Sequence, residues 1–497
     1  MAEHFISYDD AVDDLLAAAA YLAERIKSKD GHAAAMSAVV PRYLSRNNVD
    51  LAAEISNTVD DPFMRDKLLT AVAEKCAEID DDEYAVQLAD AIEDDGLRSQ
   101  AFEHMAIQKV KKGHIEKAME IGESMQHPDF VYAAAAARVA ADGDAARGRN
   151  LIHRIEYSDA KVSALIAMAV SEFEKGSKDA SVDLLDQALQ AAKEIEHNEE
   201  RIRTLCEVGN QYVTVGRNDL AIGAYNAAKE FAEQLENVHR DSFIAASVMG
   251  FLHAGSMDTA DRTLDLIADK TQISNCLIAM SKFSWDRDEK DDAFEALDEA
   301  YQILRSQREM ETRDSKSRFA LFGSIAAQYA GFGKGERAIE IASAIEDEDH
   351  RKAALAQLAT VFTLRREDEQ ARHALNEISD DAYRVSTLVA ISDAKERIGE
   401  KVDAVGILEE ASHLVEEVPQ LTARSWAYNE IARRYVDLGE TSRAKSTFDG
   451  SLKTITKIRD ESNRAVGLAT LSDLFINGGL ELSEENKQVI EKLLTNG

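Results

Sequence analysis

Proline, cysteine and tryptophan are all scarce in this chain of 497 residues, which contains 4 Pro, 3 Cys and 2 Trp. Because proline interrupts helix interiors, its scarcity favours long stretches of helix. Cys76, Cys206 and Cys276 lie far apart and form no CxxC pair, which excludes a disulfide framework and indicates a reducing, cytoplasmic compartment. The N-terminal segment has no basic stretch followed by an apolar run, because Asp9, Asp10, Asp13 and Asp14 interrupt it, so we do not expect a secreted protein. No stretch approaches ~18 consecutive apolar residues, so we do not expect a membrane-spanning protein either.

Sequence motifs for catalysis, metals and cofactors are also missing. No HExxH, GxSxG, phosphate-binding loop or dinucleotide glycine pattern occurs, and segment 286–297 departs from a calcium loop at Lys290 and Leu297. We therefore expect a non-enzymatic protein with no catalytic residues, no cofactor and no metal. The sequence does not exclude a catalytic site whose residues come together only in the folded protein.

Positive charge is in short supply, with 58 basic against 92 acidic residues and a net charge of −34. A nucleic-acid backbone would be repelled by such a surface, so we expect no nucleic-acid partner and favour basic protein partners. An adaptation to a salt-rich cytoplasm stays open. Apolar residues make up 45% of the chain, which is enough for a continuous core.

A turn residue followed five positions later by a small residue recurs along the chain, as in Gly216 with Ala221. The predicted turn residues are Asn47, Asp80, Gly113, Gly143, Gly176, Gly216, Gly255, Asp288, Gly333, Arg366, Gly399, Gly439 and Gly478. Half of their spacings are 33 residues, one is 30 and the others are 39 to 45. Apolar residues around the turns follow helical spacing, which predicts about 24–28 antiparallel helices and no sheet.

Several residues are identical to the residue 223 positions later in the chain, as Val162 is to Val385 and Gly216 is to Gly439. We infer the duplication of a block of repeats. The predicted domains are an N-terminal capping helix at 1–32, a first repeat block at 33–255, a second block at 256–480 and a C-terminal capping helix at 481–497. The first cap is an Ala-rich helix over 8–29 after Ser7, and the last helix starts at Ser483.

Two units carry a recognisable order of residues. The unit around Gly216 has Leu205, Val208-Gly209, Tyr212, Ala221, Tyr225 and Ala228, and the unit around Gly439 has Tyr428, Ile431-Ala432, Tyr435, Ala444 and Phe448. This order resembles the tetratricopeptide repeat, and the looser 33-residue units fit a HEAT-like repeat as well. The resemblance covers about residues 33–480 and implies an all-α, right-handed α-solenoid of about 12–13 antiparallel two-helix repeats.

A basic residue lies fifteen positions before nine of the turns. These residues are Arg65, Arg98, Lys161, Arg201, Arg240, Arg318, Arg351, Arg384 and Arg424. Six of them have an acid four residues upstream, such as Asp61, Asp94 and Asp380. We favour a structural interpretation, in which the acid caps a helix and pairs i,i+4 with the basic residue, over a ladder that binds anionic ligands.

The tetratricopeptide resemblance implies that the first helix of each unit lines a concave face. Carried over onto this chain, the candidate partner-binding residues are Arg203, Asn210, His253, Asn275, Lys282, Trp285, Trp426, Asn429 and Arg433. Trp and Arg are frequent interface anchors, and Asn can bind an extended peptide backbone. Ordinary helix surface with buried tryptophans is the alternative.

We therefore expect a cytoplasmic scaffold or adaptor that binds a protein or peptide partner on its concave face. The alternative is a regulatory subunit or ligand-switched sensor that controls a separate enzyme. The sequence leaves open whether the protein forms a homo-oligomer, and no membrane partner is expected.

The longest spacing between turns contains a basic segment at 305–318. This segment is either a helix end or loop, or a docking point or hinge.

Overall fold

The structure is a computed structural model that describes residues 5–306 and 315–496. Within these ranges the chain forms 28 α-helices and no strand, which confirms the all-α prediction. The helices are α1 Tyr8–Asp13, α2 Leu15–Ala23, α3 Lys29–Ser45, α4 Val49–Ser56, α5 Pro62–Glu78, α6 Asp82–Ala91, α7 Asp95–Lys111, α8 Ile115–Ser124, α9 Asp129–Ala141, α10 Ala145–Ile152, α11 Ser158–Glu174, α12 Lys178–Lys193, α13 Asn198–Thr214, α14 Asn218–Glu233, α15 Arg240–His253, α16 Met257–Leu264, α17 Lys270–Asp286, α18 Lys290–Ser306, α19 Ser315–Gly331, α20 Gly335–Ser343, α21 Glu348–Leu364, α22 Asp368–Asn376, α23 Asp381–Arg397, α24 Lys401–Leu414, α25 Leu421–Asp437, α26 Thr441–Ile455, α27 Glu461–Gly478 and α28 Glu484–Asn496.

The turns inside the helix pairs are built on left-handed residues. All twelve predicted turn residues from Asn47 to Gly439 have a positive φ, between +57° and +106°. At Gly113 the Schellman pattern is complete, because His114 N donates to Lys109 O at 2.8 Å and Gly113 N donates to Val110 O at 2.9 Å. The predicted repeat of helix, short turn and helix is therefore confirmed for these units.

The last predicted turn is displaced by one residue. Gly479 has the positive φ of +60°, whereas Gly478 is the final residue of α27, which is 18 residues long. The prediction of Gly478 as the turn residue was wrong because both glycines can adopt the left-handed conformation, and only the length of the packed helix decides between them.

The described residues group into two compact units. Unit 1 contains the residues up to Ala101 together with those from Leu355 onward, and unit 2 is Phe102–Ala354. The predicted division into blocks 33–255 and 256–480 rests on agreement within the sequence, and it stays a prediction.

In unit 2 the repeat signature corresponds to a packing arrangement. The fully buried ring of Tyr225 on α14 lies against Gly209 of α13 and Gly250 of α15. A Cβ atom at Gly209 would lie 2.5 Å from the ring, and one at Gly250 would lie 2.4 Å from it. The absence of a side chain at both positions therefore lets three successive helices enclose one aromatic ring.

In unit 1 the two ends of the chain pack together. Helix α2 packs on α27 and on α3, and all nine of its residues are buried. Helix α3 packs on α27 in turn, and Arg42 donates two hydrogen bonds of 2.8 Å to the Asp473 carboxylate on α27. Helix α2 thus stands beside α27 as a second helix, and it comes from the opposite end of the sequence.

The same contact between first helices recurs earlier in unit 1. Arg434 on α25 donates to Glu396 of α23 at 2.7 Å and lies 3.6 Å from the Asp393 carboxylate. Helix α3 therefore follows α27 in the way that α25 follows α23. In both cases an arginine pairs with a carboxylate of the neighbouring first helix, Arg42 with Asp473 of α27 and Arg434 with Glu396 of α23.

The terminal segments were predicted only in part. Ser7 and Ser483 do cap the helices that follow them, since each hydroxyl accepts a hydrogen bond from a backbone N–H three residues on. The predicted single helix over 8–29 is instead the two helices α1 and α2, which divide at Asp14. Asp14 takes an extended conformation, and its carboxylate accepts from Ala17 N at 2.9 Å, which starts the second helix.

The recurrent basic residue has a structural role, although its partner differs from the prediction. Arg98, Arg201 and Arg424 each donate to the backbone carbonyl six residues earlier, at 3.0, 2.6 and 2.7 Å. Four of the upstream acids, Asp61, Asp94, Asp347 and Asp380, do cap their helices, as Asp61 does by accepting from Met64 N at 2.7 Å. Glu236 does not, because α15 has no side-chain cap, and Asp314 lies outside the described residues. The guanidinium groups instead cover carbonyls at the end of the preceding helix, which a helix leaves unpaired.

The basic segment at 305–318 lies mostly outside the described residues. Helix α18 ends at Ser306 and α19 begins at Ser315. At the end of the segment, Arg318 is buried and donates to Leu304 O at 3.0 Å.

Candidate functional site

Six of the predicted partner-binding residues lie in unit 2, on the first helices of three successive repeats. Arg203, Asn210, His253, Asn275 and Lys282 have exposed side chains, and Trp285 is half-buried. Each residue is therefore accessible to a partner. The contacts that each side chain already makes within the protein determine which of its atoms can bind that partner.

Asn210 contacts both Tyr225 and His253 through its carbonyl oxygen. The Tyr225 hydroxyl donates to Asn210 Oδ1 at 2.7 Å, and His253 Nδ1 lies 3.4 Å from the same oxygen. Burial raises the pKa of Tyr225, so its hydroxyl remains a donor at neutral pH. The Asn210 carbonyl oxygen is thus already engaged by Tyr225 and His253, and the amide nitrogen is the group that can contact a partner.

The two cations of this set are paired within the chain. Arg203 lies 3.8 Å from Glu200 and 5.7 Å from the centre of the Phe243 ring, and Lys282 bonds Asp286 at 2.9 Å. Exposed pairs of this kind contribute little to stability, so a partner carboxylate can replace the internal one at small cost.

Trp285 takes part in an aromatic cluster. Its ring stacks on Phe332 with the centroids 4.1 Å apart, and it meets Phe294 edge-on at 5.9 Å. This cluster joins α17, α18 and the residue that follows α19. Trp285 therefore has a packing role, and its predicted role as an interface anchor stays a prediction.

Trp426, on α25 in unit 1, lies in different surroundings. Its side chain is 50% exposed, and it borders a cavity of about 500 Å³ between the first helices α21, α23 and α25. We call this cavity the Trp426 pocket, and its lining residues are Ala356, Gln357, Thr360, Asp380, Ala382, Tyr383, Ser386, Thr387, Ala390 and Trp426. A large aromatic surface thus stands beside a concave space that polar side chains also reach.

The other two predicted residues on α25 differ in accessibility. Asn429 is only 5% exposed, and its Oδ1 accepts a hydrogen bond of 2.9 Å from the Ser451 hydroxyl. Its predicted place on the binding face is therefore corrected, because α26 covers this side of the helix. Arg433 is exposed and bonds Glu430 at 2.8 Å.

The sequence interpretation missed the partners of Trp426. Ser386 lies thirteen residues before its turn residue Gly399, as Trp426 does before Gly439. Thr360 lies six residues before Arg366, which is the position of Asn210 relative to Gly216. Counting back from the turn residue in every repeat would have identified both residues. The turn at Arg366 is harder to recognise in the sequence than those at Gly399 and Gly439, because arginine is not a usual turn residue.

The three thiols are not poised for nucleophilic chemistry. Burial raises the pKa of Cys76 to about 11 and those of Cys206 and Cys276 to about 12. All three are therefore protonated at neutral pH.

Residues 5–306 and 315–496 contain no group of three or more His, Cys, Asp or Glu side chains that could hold a metal ion. Within the same ranges, no helix combines the length and the apolar character that crossing a membrane requires.

No protein-family model and no curated protein matches this chain. Solved structures that resemble it include Ton1535 from Thermococcus onnurineus NA1, with 16% identity over 71% of this chain and 97% of that one, and a TM-score of 0.26. The apo form of the quorum sensor NprR from B. thuringiensis has 12% identity over 65% and 97%, with a TM-score of 0.27. A signal-transduction ATPase with a tetratricopeptide repeat sensor from Pyrococcus horikoshii has 14% identity over 74% and 65%, with a TM-score of 0.27. Likenesses this weak carry no argument, so the repeat architecture rests on the helix pairs and their turns.

Proposed function

We propose that this chain is a non-enzymatic scaffold that binds a protein or peptide partner on the face formed by its first helices. The Trp426 pocket is its principal contact in unit 1. The observation that carries this proposal is the half-exposed Trp426 side chain beside a cavity of about 500 Å³.

The composition of the pocket supports a peptide ligand. Trp426 and the alanines supply apolar area for one partner side chain, and tryptophan is among the residues that contribute most to interfaces. Gln357 is exposed, and it can both donate to and accept from a peptide backbone. Thr360 and Ser386 are half-buried at the same cavity and add hydroxyl groups. An extended segment with an apolar anchor residue fits this arrangement.

Charge adds a preference for basic partners. The one charged residue that lines the pocket is Asp380, and the whole chain has a net charge of −34. Long-range attraction therefore favours the approach of Lys- and Arg-rich segments, and it weakens as salt screens the charges.

The test is a selection from a displayed random-peptide library on the full-length chain, followed by calorimetry of the selected peptides. Trp426→Ala should weaken the affinity of the selected peptides about 30-fold, as expected for an anchor worth about 2 kcal/mol. Its melting temperature should stay close to that of the wild type, because the side chain is half-exposed.

Phe63→Ala is the matched control, because Phe63 is another exposed aromatic residue of unit 1, at 60% exposure. This variant should bind the selected peptides as the wild type does. Equal affinity of the wild type and Trp426→Ala would contradict the proposal. For the regulatory alternative, a pull-down from cell extract should recover one enzyme in fixed stoichiometry rather than several partners.

A further inference from the structure

A second cavity, near the C-terminal end of unit 1, is surrounded by positive charge. Its volume is about 530 Å³, and it lies among α26, the connection after α26, α27 and α28. Its charged lining consists of Lys453, Lys457, Arg459, Arg464 and Lys492, without any acidic residue. We call this cavity the basic pocket.

Such a cluster is unusual in this chain. Acidic residues outnumber basic ones by 92 to 58, and many arginines pair with a carboxylate, as Arg42 and Arg443 do. Within residues 5–306 and 315–496, by contrast, no carboxylate lies within 4.0 Å of the cationic groups of Lys453, Lys457 or Arg459. The like charges of these three side chains repel one another, and an external anion would relieve this repulsion.

Arg464 adds a second observation. Its Nη2 donates to Arg459 O at 3.2 Å, and its Nε is buried without a hydrogen-bond partner. The other arginines with an unpartnered buried Nε are Arg46, Arg384 and Arg434, and all three pair with a carboxylate through another nitrogen. Of these four arginines, Arg464 alone has no carboxylate partner among the described residues, so an anion in the cavity that it lines would supply the missing counter-charge.

Asp460, which directly follows Arg459, already has another role. Asp460 accepts a hydrogen bond of 2.7 Å from Asn463 N, where it caps α27. Because Lys453 lies in the last turn of α26, part of its role is to offset the helix dipole. That role does not account for the cations contributed by the following connection and by α27 and α28.

The remaining lining is apolar. Ile458 and Leu493 are buried, and Val489 is half-buried beside them. A ligand for this cavity therefore has two parts, a group with several negative charges and a compact apolar body. Arginine and lysine bind phosphate well, and a cavity of this size is in the range of ~300–1,000 Å³ that small-molecule sites occupy.

We propose that the basic pocket binds a small organic phosphate that carries two or more negative charges. This site is separate from the Trp426 pocket and does not depend on the proposed scaffold function. Phosphate oxygens would accept hydrogen bonds from Arg459 and Arg464, and the lysines would balance the remaining charge. The apolar body would lie against Ile458, Val489 and Leu493.

The test is titration calorimetry on the full-length chain, with ATP and inorganic tripolyphosphate as probes in low salt. We expect saturable binding of both, with ATP at least about threefold tighter because only ATP has an apolar part. Lys453→Glu should weaken both at least about tenfold. Lys445→Glu is the matched control, because Lys445 is an exposed lysine of the same helix outside the pocket, and it should change both affinities by less than about twofold.

The outcomes separate the alternatives. Equal affinity for ATP and tripolyphosphate would overturn the apolar part of the proposal, and it would leave inorganic oligophosphate as the ligand. Binding of an oligoglutamate peptide without either phosphate would replace the small ligand with an acidic protein segment. Equal weakening by Lys453→Glu and Lys445→Glu would show a non-specific charge effect and overturn the site. If Lys453→Glu fails to fold by circular dichroism, Lys457→Gln tests the same pocket with a milder change.

Discussion

The packing of Tyr225 between two glycines allows a sharp prediction for Gly209→Ala. An added Cβ would lie 2.5 Å from Tyr225 Cε1, which is more than ~1 Å inside the usual carbon–carbon contact distance. Tyr225 is fully buried with its ring against Gly250 and Phe251, so the ring cannot move away without displacing its neighbours. Overpacking of this kind costs about 1–3 kcal/mol, and we expect the upper half of that range.

Helix propensity acts in the opposite direction. Alanine is favoured over glycine in a helix interior by about 1 kcal/mol, so the net loss for Gly209→Ala should be about 1–2 kcal/mol. Gly223→Ala on α14 is the matched control, because a Cβ there meets no atom within 4 Å. That variant should gain up to about 1 kcal/mol, and the two substitutions should therefore differ by about 2–3 kcal/mol.

The measurement is urea unfolding followed by circular dichroism, with hydrogen exchange of α13 to α15 as a local readout. The local readout matters because a repeat protein is stabilised by contacts between neighbouring units and need not unfold in one step. Adding Tyr225→Leu should remove most of the penalty of Gly209→Ala, measured as a coupling in a double-mutant cycle. If Gly209→Ala is as stable as Gly223→Ala, the packing argument is wrong.

Three further predictions concern other contacts. Asp473→Ala removes the acceptor of Arg42, and it should lower the free energy of unfolding by about 1 kcal/mol or less because the pair is partly exposed. Faster hydrogen exchange in α2 would confirm that this pair helps to hold the two ends of the chain together. Gly399→Ala should cost about 1 kcal/mol in urea unfolding, since the φ of +84° is strained for alanine and no atom lies near its Cβ. Burial lowers the pKa of His32 below 6.5, so the unfolded chain takes up the proton first. The stability that is present above pH 6.5 should therefore decrease as pH falls, and His32→Gln should flatten this slope in unfolding experiments at several pH values.

The repeat frame was readable from the sequence because its determinants are local. A left-handed residue ends each first helix, and Gly or a short polar residue is the usual choice there. The same locality explains the capping acids, since Asp61 and Asp380 bond backbone groups three residues away. Even Arg366, which has no such preference, was identified by its distance from neighbouring turns, and it has a φ of +62°.

Only part of the candidate site could be predicted from the sequence. Counting back from the turn located Trp426 on an exposed position, but the same count placed Asn429 on the surface when α26 buries it. Position within one helix gives the direction of a side chain, whereas exposure depends on how closely the next helix approaches. The partners of Trp426 on α21 and α23 lie on other repeats, which only the packed structure brings to the same pocket.

The sequence by itself determined the all-α class, the helix pairs and twelve of the turn positions, because each follows from the conformational preferences of residues a few positions apart. The tertiary structure decided which helix completes the last repeat. Helix α2 and helix α27 are more than 400 residues apart in the chain, and their pairing depends on complementary buried surfaces. It also decided that the cations from Lys453 to Lys492 surround one cavity, because charges on separate helices come together only when the helices pack.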